Sequence, residues 1–191
     1  MEDSHSKGES LEYIHRLKKQ IERLEILTAS LLTMSKLDAD TTQFKEEIIN
    51  FKDIIDMAVE PILPLIGRKN IKINILGDSG SFNGDIHWLS EAFLNIIKNS
   101  VEHMDDNGQI DISITSNPIF KQIIIEDNGI GFVKEDIPYI FNRFYKGKNS
   151  SKDSIGIGLP MAKLIIEKHN GEVSAENRIN GGARFIIKFY S

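Results

Sequence analysis

Between residues 11 and 37, apolar positions recur at alternating intervals of three and four: Ile14, Leu17, Ile21, Leu24, Thr28, Leu31 and Ser35. Leu27, Leu32 and Met34 widen that stripe, and Arg16, Lys18, Lys19, Glu22, Arg23 and Glu25 flank it with charge. The pattern predicts one long helix from Leu11 to Leu37 carrying a heptad seam and a solvated outer face. A lone helix cannot bury such a seam. Either a second copy of the helix or the rest of the chain must cover it, and dimerisation is favoured because no later segment supplies a long matching helix.

Asp38 to Thr42 is polar and reads as a hinge, after which the periodicity changes. Phe44 to Asn50 suits a short strand. Phe51 to Ile66 suits a helix interrupted by Pro61 and Pro64 and closed at Gly67 and Asn70. Ile71, Ile73 and Ile75 alternate with polar residues as a strand does, and so do Ile110, Ile112 and Ile114 after the Asp106-Asn107-Gly108 turn. Asp85 to Met104 is amphipathic and helical. Ile119 to Glu126 forms a further strand, joined to its predecessor through Ser116-Asn117-Pro118 as a hairpin. Lys146 to Ser154 lacks an apolar anchor and is expected to be mobile. Leu159 to His169 is a helix stopped at Asn170-Gly171, and 172–176 with 184–189 form a closing hairpin. The expected fold is α+β: a two-layer α/β sandwich with a mixed, largely antiparallel sheet of about five strands and three helices on one face. One long helix precedes it.

Composition narrows the function. The 191 residues carry 23 basic and 28 acidic side chains, a net charge of −5, which argues against nucleic acid as a partner. With no cysteine, disulfides and thiol chemistry are excluded. No apolar run approaches the ~20 residues of a membrane helix, so no membrane contact by this chain is expected.

Four blocks carry candidate chemistry. Asn95 and Asn99 stand one turn apart on a predicted helix, among Phe93, Leu94, Ile96 and Ile97; an amide oxygen there can serve Mg²⁺ beside nucleotide phosphates, although such a pair is commonly a surface feature. Glu126-Asp127-Asn128-Gly129-Ile130-Gly131-Phe132 follows an isoleucine strand. It reads as a plain β-turn, or as a fixed carboxylate that accepts from an adenine amino group while glycines let the base approach. In Ile140 to Lys146, Phe141 and Phe144 are expected to pin the start of a lid whose Arg143, Lys146 and Lys148 lean over phosphate; the plainer reading is a loop anchor followed by a solvated charge run. Ser154-Ile155-Gly156-Ile157-Gly158-Leu159 opens a helix, and free amides at a helix N-terminus cradle anions.

In this order the blocks resemble the N, G1, F and G2 boxes of the histidine kinase catalytic domain, which belongs to a superfamily shared with DNA gyrase, heat-shock protein 90 chaperones and mismatch-repair ATPases. The resemblance covers about residue 44 to the C-terminus. Residues 143–148 (RFYKGK) and 156–159 (GIGL) carry its kinase-specific part. Residues 11–37 resemble the second helix of the kinase dimerisation and phosphotransfer domain. This implies a partial dimerisation helix over 1–40 and an ATP-binding catalytic domain over 41–191. It implies Asn99 as the ligand of Mg²⁺, Asn95 on the phosphate side, and Asp127 on the adenine with Gly129, Gly131 and Phe132 shaping the wall. Arg143, Lys146 and Lys148 are then directed to the phosphates, and Gly156, Ile157, Gly158 and Leu159 to the lid hinge and cradle. The cofactors implied are ATP and Mg²⁺. The partners implied are a response-regulator receiver domain and a second copy of the chain, in the cytoplasmic part of a membrane-anchored sensor.

The sequence departs from that pattern twice. Glu102 and His103 stand where many members have a lysine and an aromatic residue, and the phosphoacceptor motif, a histidine followed by an acidic residue and shortly by Thr-Pro, is missing. His5 lies in a polar tail, His15 has no acidic residue after it, and His87, His103 and His169 read as surface or capping residues. The acceptor helix, sensor and membrane segments are therefore expected upstream, with this chain a fragment. A hydrolytic relative would need a carboxylate at position 95 to activate water, and Asn95 is no base. The readings kept are a phosphoryl donor to histidine and, as the rival, a nucleotide-binding module without histidine transfer: a degenerate kinase or a serine kinase of the anti-sigma type.

Overall fold

The computed structural model describes residues 2–77, 81–150 and 154–190, with the backbone alone for residues 2–11 and 15, so the side chains of His5 and His15 lie outside the described residues. Helix α1 spans Glu2–Asp38. It ends in a tight turn in which Asp40 takes a left-handed conformation (φ 51°) and the amides of residues 39–41 return to carbonyls of residues 35–37. Then come β1 (Glu47–Asn50), α2 (Phe51–Val59), a short 3₁₀ turn and α3 (Leu63–Lys69). Pro61 and Pro64 sit in the first turn of the 3₁₀ and α3 segments, where a missing amide costs nothing, so the helix breaks into pieces without being lost.

Five strands form the main sheet in the order β2 (Lys72–Leu76), β4 (Gln109–Ser116), β5 (Phe120–Asp127), β7 (Ala183–Tyr190) and β6 (Gly171–Asn177). The β2–β4 pair is parallel and the others antiparallel. This is the mixed, largely antiparallel sheet that alternation in the sequence implies. One strand was not legible: β3 (Ser81–Gly84) pairs with β1 as a separate ribbon. Its four residues, Ser-Phe-Asn-Gly, show no apolar alternation.

The core lies between one face of this sheet and α2, α4 (Ile86–Glu102) and α5 (Gly158–Lys168). Ile110, Ile112, Ile123, Ile125, Phe185 and Ile187 point inward from the strands and are fully buried, each worth about 1.5–3 kcal/mol of transfer free energy. Leu89, Phe93, Ile96 and Ile97 face them from α4. The opposite sheet face is wet and charged, with Arg184 bridging Glu126 and Glu176 across three strands. α4 starts on Asp85, whose Oδ1 accepts from His87 and Trp88 amides, a cap worth ~1 kcal/mol. Asp85 Oδ2 accepts from the Lys45 amide and its own amide donates to His169 Nε2. His169 caps the C-terminus of α5, one of the two roles the sequence suggested, and it is half-buried and structural rather than a free surface residue.

The seam expected on α1 is not what docks. Ile14, Leu17, Ile21 and Leu24 are 56–62 % exposed. The buried residues are Met34 and Leu37, with Leu27 partly buried against the core, on the neighbouring stripe. One edge of α1 therefore packs on the rest of the chain, against α5 among other elements, and the seam faces outward.

Candidate functional site

α4, the segment after β5 and the N-terminus of α5 enclose a cleft of about 490 Å³. Nine of the residues singled out from the sequence line it: Asn95, Asn99, Asp127, Gly131, Phe132, Gly156, Ile157, Gly158 and Leu159. Gly129, Arg143, Lys146 and Lys148 do not. Ile26 and Ser30 contribute to the lining from α1, so the long helix forms part of the cleft wall.

Asp127 ends β5 with its side chain turned inward and only 2 % of the residue exposed. Its Oδ1 accepts from the amides of Gly129 and Ala183, both at 3.0 Å. No described residue donates to Oδ2, which leaves that oxygen for a ligand in the cleft. The backbone behind it is clamped by the β6–β7 turn. Arg178 donates to the Asp127 carbonyl at 2.8 Å, and a Cβ at Gly182 (φ 90°) would stand 2.0 Å from that same oxygen. Asn177 makes a two-way bond with the Phe132 backbone, each at 2.7 Å. Gly129 serves packing: a side chain there would meet the His103 carbonyl at 2.7 Å. Asn177, Arg178 and Gly182 escaped the sequence reading because they lie some 45 to 56 residues from the atoms they fix, with no local motif to mark them.

The two amides of α4 differ. Asn95 donates to Glu91, to its carbonyl at 2.9 Å and its carboxylate at 3.3 Å, and its Oδ1 lies 2.8 Å from where Gly158 would carry a Cβ. Asn99 is half-buried, and its side chain has no hydrogen bond among the described residues. An amide left uncommitted by its protein neighbours at the edge of a cleft is available to a ligand. Across the cleft, α5 opens on Ile157 without a side-chain cap, and Pro160 contributes no amide. The amides of Gly158 and Leu159 are therefore left at the positive end of the helix.

Asp136 is a further site residue that sequence reasoning missed. It is 5 % exposed and lines the cleft. Its carboxylate accepts from the Tyr145 hydroxyl at 2.7 Å and the Lys148 amide at 2.8 Å. The Lys148 amide first, then the Tyr145 hydroxyl, hold the Asp136 carboxyl below its usual range, and the same bond pushes the Tyr145 phenol up. The lid base is thus stapled to a buried anion. Its other end is strained: Phe144 has φ 63°, rare for a bulky residue, and its amide bonds the Gly156 carbonyl at 2.8 Å. Phe144 is 53 % exposed and does not pin the lid by burial, as the sequence suggested; Phe141, partly buried against the core, does. The mobility expected of 146–154 falls partly on residues 151–153, which lie outside the described residues.

Arg143 turns to α1 instead of the cleft and donates two hydrogen bonds to Asp38. Lys168 pairs with Asp40, and Arg23 donates to the Ser154 carbonyl at 3.2 Å.

A sandwich of this topology, with a strand-end carboxylate, facing amides and an uncapped helix around one cleft, defines a nucleotide-binding ATPase or kinase fold. The chain belongs to the histidine kinase-, DNA gyrase B- and HSP90-like ATPase family, which it matches over residues 84–190. It is 28 % identical over 182 residues to the heme sensor protein HssS of Staphylococcus haemolyticus, covering 95 % of this chain and 40 % of that one. It is 28 % identical over 195 residues to the sensor protein kinase WalK of Staphylococcus aureus, covering 98 % and 47 %. The chain thus spans less than half the length of these curated relatives. Among solved structures, it superposes on the Acinetobacter baumannii histidine kinase AdeS with a TM-score of 0.75 at 21 % identity, covering 90 % of this chain and 80 % of that one. It superposes on the histidine kinase ThkA in complex with the response regulator TrrA with a TM-score of 0.73 at 22 % identity, covering 93 % and 50 %. These likenesses are to the fold.

Proposed function

We propose that this chain is the phosphoryl-donor part of a sensor histidine kinase: it binds Mg-ATP in the α4–α5 cleft and passes the γ-phosphoryl group to a histidine carried on a separate helical domain. The observation that carries the reading is the pairing of Asp127, whose Oδ2 accepts from no described residue and suits an adenine amino group, with Asn99, whose side-chain amide has no partner among the described residues. Phosphoryl transfer asks the protein for positioning and charge neutralisation more than for covalent chemistry. Asp127 and Gly131 seat the base, the α5 amides of Gly158 and Leu159 favour anionic oxygens, and Phe132 and Ile157 exclude water from one wall. Asn95 holds no base and is engaged with Glu91, so it does not activate water, which favours transfer over hydrolysis.

Mg²⁺ fits this donor set in a limited way. Asn99 Oδ1 is an uncommitted hard donor, yet no group of three His, Asp or Glu converges among the described residues. The ion would be held by Asn99 together with the nucleotide's own phosphates and water, and would supply neutralisation of phosphate charge.

The outward seam of α1 supports a second helix as its cover, hence a homodimer through Ile14, Leu17, Ile21 and Leu24. A response-regulator receiver domain as downstream acceptor and a membrane-anchored parent protein follow from the kinase reading. Among the described residues no helix is long and apolar enough to cross a membrane.

The test is to incubate the chain with γ-labelled ATP, Mg²⁺ and a separate helical hairpin bearing a phosphoacceptor histidine. Acid-labile, base-stable label on the hairpin is expected, and it should vanish with Asn99→Asp. Acid-stable label on a hydroxyl side chain would support the serine kinase reading instead.

A further inference from the structure

A nucleotide triphosphate brings several negative charges into a cleft that here already carries the carboxylates of Glu91, Glu102, Asp127 and Asp136. Attraction has to come from somewhere. The cations suggested by the sequence are elsewhere: Arg143 is held by Asp38, and the side chains of Lys146 and Lys148 do not line the cleft. Among the described lining residues there is one lysine or arginine, Lys98.

Lys98 precedes Asn99 and lies one turn before Glu102 on the same side of α4. Its Nζ is 3.8 Å from Glu102 Oε1, beyond hydrogen-bonding range, and the two side chains are 51 % and 40 % exposed. Such a pair is loose and gives little when formed. It does, however, put the ammonium in the volume that a lysine at position 102 would sweep. Lysine's flexible stem suits it to follow a phosphate as a point charge.

Resting on the nucleotide-binding reading above, we propose that Lys98 is the triphosphate-contacting cation of this cleft, and that Glu102 is its resting partner, released when nucleotide enters. The charge that the sequence lacks at position 102 is supplied from one helical turn earlier. Lys98 therefore discriminates by phosphate content: it acts on ATP and ADP and is indifferent to adenosine. It also links the phosphates to Asn99, its neighbour in the chain.

The test is calorimetric titration of the whole chain, wild type, Lys98→Gln and the swapped Lys98→Glu/Glu102→Lys, with adenosine, ADP and ATP in the presence of Mg²⁺. Lys98→Gln should weaken ATP and ADP about five- to tenfold, the scale of a partly solvated charge-assisted contact. Adenosine should bind it as it binds wild type, and the swap should recover most of the loss for ATP. Raising salt should narrow the difference between wild type and Lys98→Gln. If Lys98→Gln binds ATP like wild type, or loses adenosine in equal proportion, Lys98 is a surface charge or a packing residue and the proposal falls. If wild type binds adenosine and ATP equally well, the cleft takes the base without using phosphate, which also overturns it. Failure of wild type to bind any of the three would instead overturn the nucleotide reading itself.

Discussion

Arg143 and Asp38 meet across 105 residues of sequence, through two hydrogen bonds of 2.8 and 2.7 Å that tie the lid base to the C-terminus of α1. The geometry is good, but the partners are 46 % and 41 % exposed. Water and salt screen such a pair, so a double-mutant cycle with Asp38→Asn and Arg143→Gln should give a coupling of about 0.2–1 kcal/mol that shrinks at high salt. The apolar anchor is expected to matter more. Leu37→Ala empties a fully buried site on the docked stripe, and urea denaturation should show a loss of about 2–5 kcal/mol. A salt-bridge coupling above the Leu37 loss would show that charge, and not burial, holds α1.

Ser100 lies on the buried face of α4, and its hydroxyl has no hydrogen-bond partner among the described residues. An unpaired buried polar group opposes folding. Ser100→Ala keeps the helix and removes the hydroxyl, so the urea midpoint should rise, with a gain of about 1 kcal/mol. A drop in midpoint would mean that Ser100 has a partner in solution.

Gly182 sits outside the cleft yet governs it. Alanine there must occupy a backbone with φ 90° and bring a Cβ to 2.0 Å from the Asp127 carbonyl. Gly182→Ala should destabilise by more than ~1 kcal/mol and weaken ATP binding by displacing Asp127. Circular dichroism melts and calorimetry check the two effects separately. A variant that melts like wild type contradicts the clamp.

How much of this was legible in the sequence depended on distance along the chain. Alternating isoleucines announced β2 and β4 because a half-buried strand repeats every second residue, β5 was marked by an isoleucine run after the Ser116-Asn117-Pro118 turn, and Asn95, Asn99 and Asp127 stood out because each block is local. β3 escaped because its four residues are held by pairing with β1 alone. The supports of Asp127 escaped too: Arg178 and Gly182 in the β6–β7 turn and Ala183 at the start of β7 belong to what reads as an ordinary closing hairpin. Arg143 stood out as a candidate phosphate cation, but its partner Asp38 did not, since no periodicity reports how a helix end lies on a distant loop. On α1 the stripe that docks and the stripe that faces out share one spacing, offset by a few residues, and pattern alone does not choose between them.

His169 carries a pH signature. Its Nδ1 bonds the Ile165 carbonyl at 2.8 Å and its Nε2 accepts from the Asp85 amide at 3.3 Å, so the neutral ring with the proton on Nδ1 fits both. Burial lowers its pKa from the ordinary 6.5, against opposing pulls from the Ile165 carbonyl, Asp85 and Glu46. The folded state then binds fewer protons than the unfolded chain. The contribution is fully present above 6.5 and is lost as pH falls from there toward the folded value. Melting temperature should drop as pH falls below about 6.5 in wild type and less so in His169→Leu. Parallel pH profiles would contradict this assignment.

Binding of Mg-ATP to the intact chain and to Asp127→Asn, measured by calorimetry, bears most directly on the account, because it asks whether the α4–α5 cleft is a nucleotide site read by that carboxylate. Asparagine preserves size and one carbonyl oxygen while replacing the acceptor Oδ2 or disturbing Oδ1. The expected result is saturable binding to wild type and a loss of about 1–3 kcal/mol in the variant. Equal affinity for the two proteins would contradict it and leave Asp127 a turn residue.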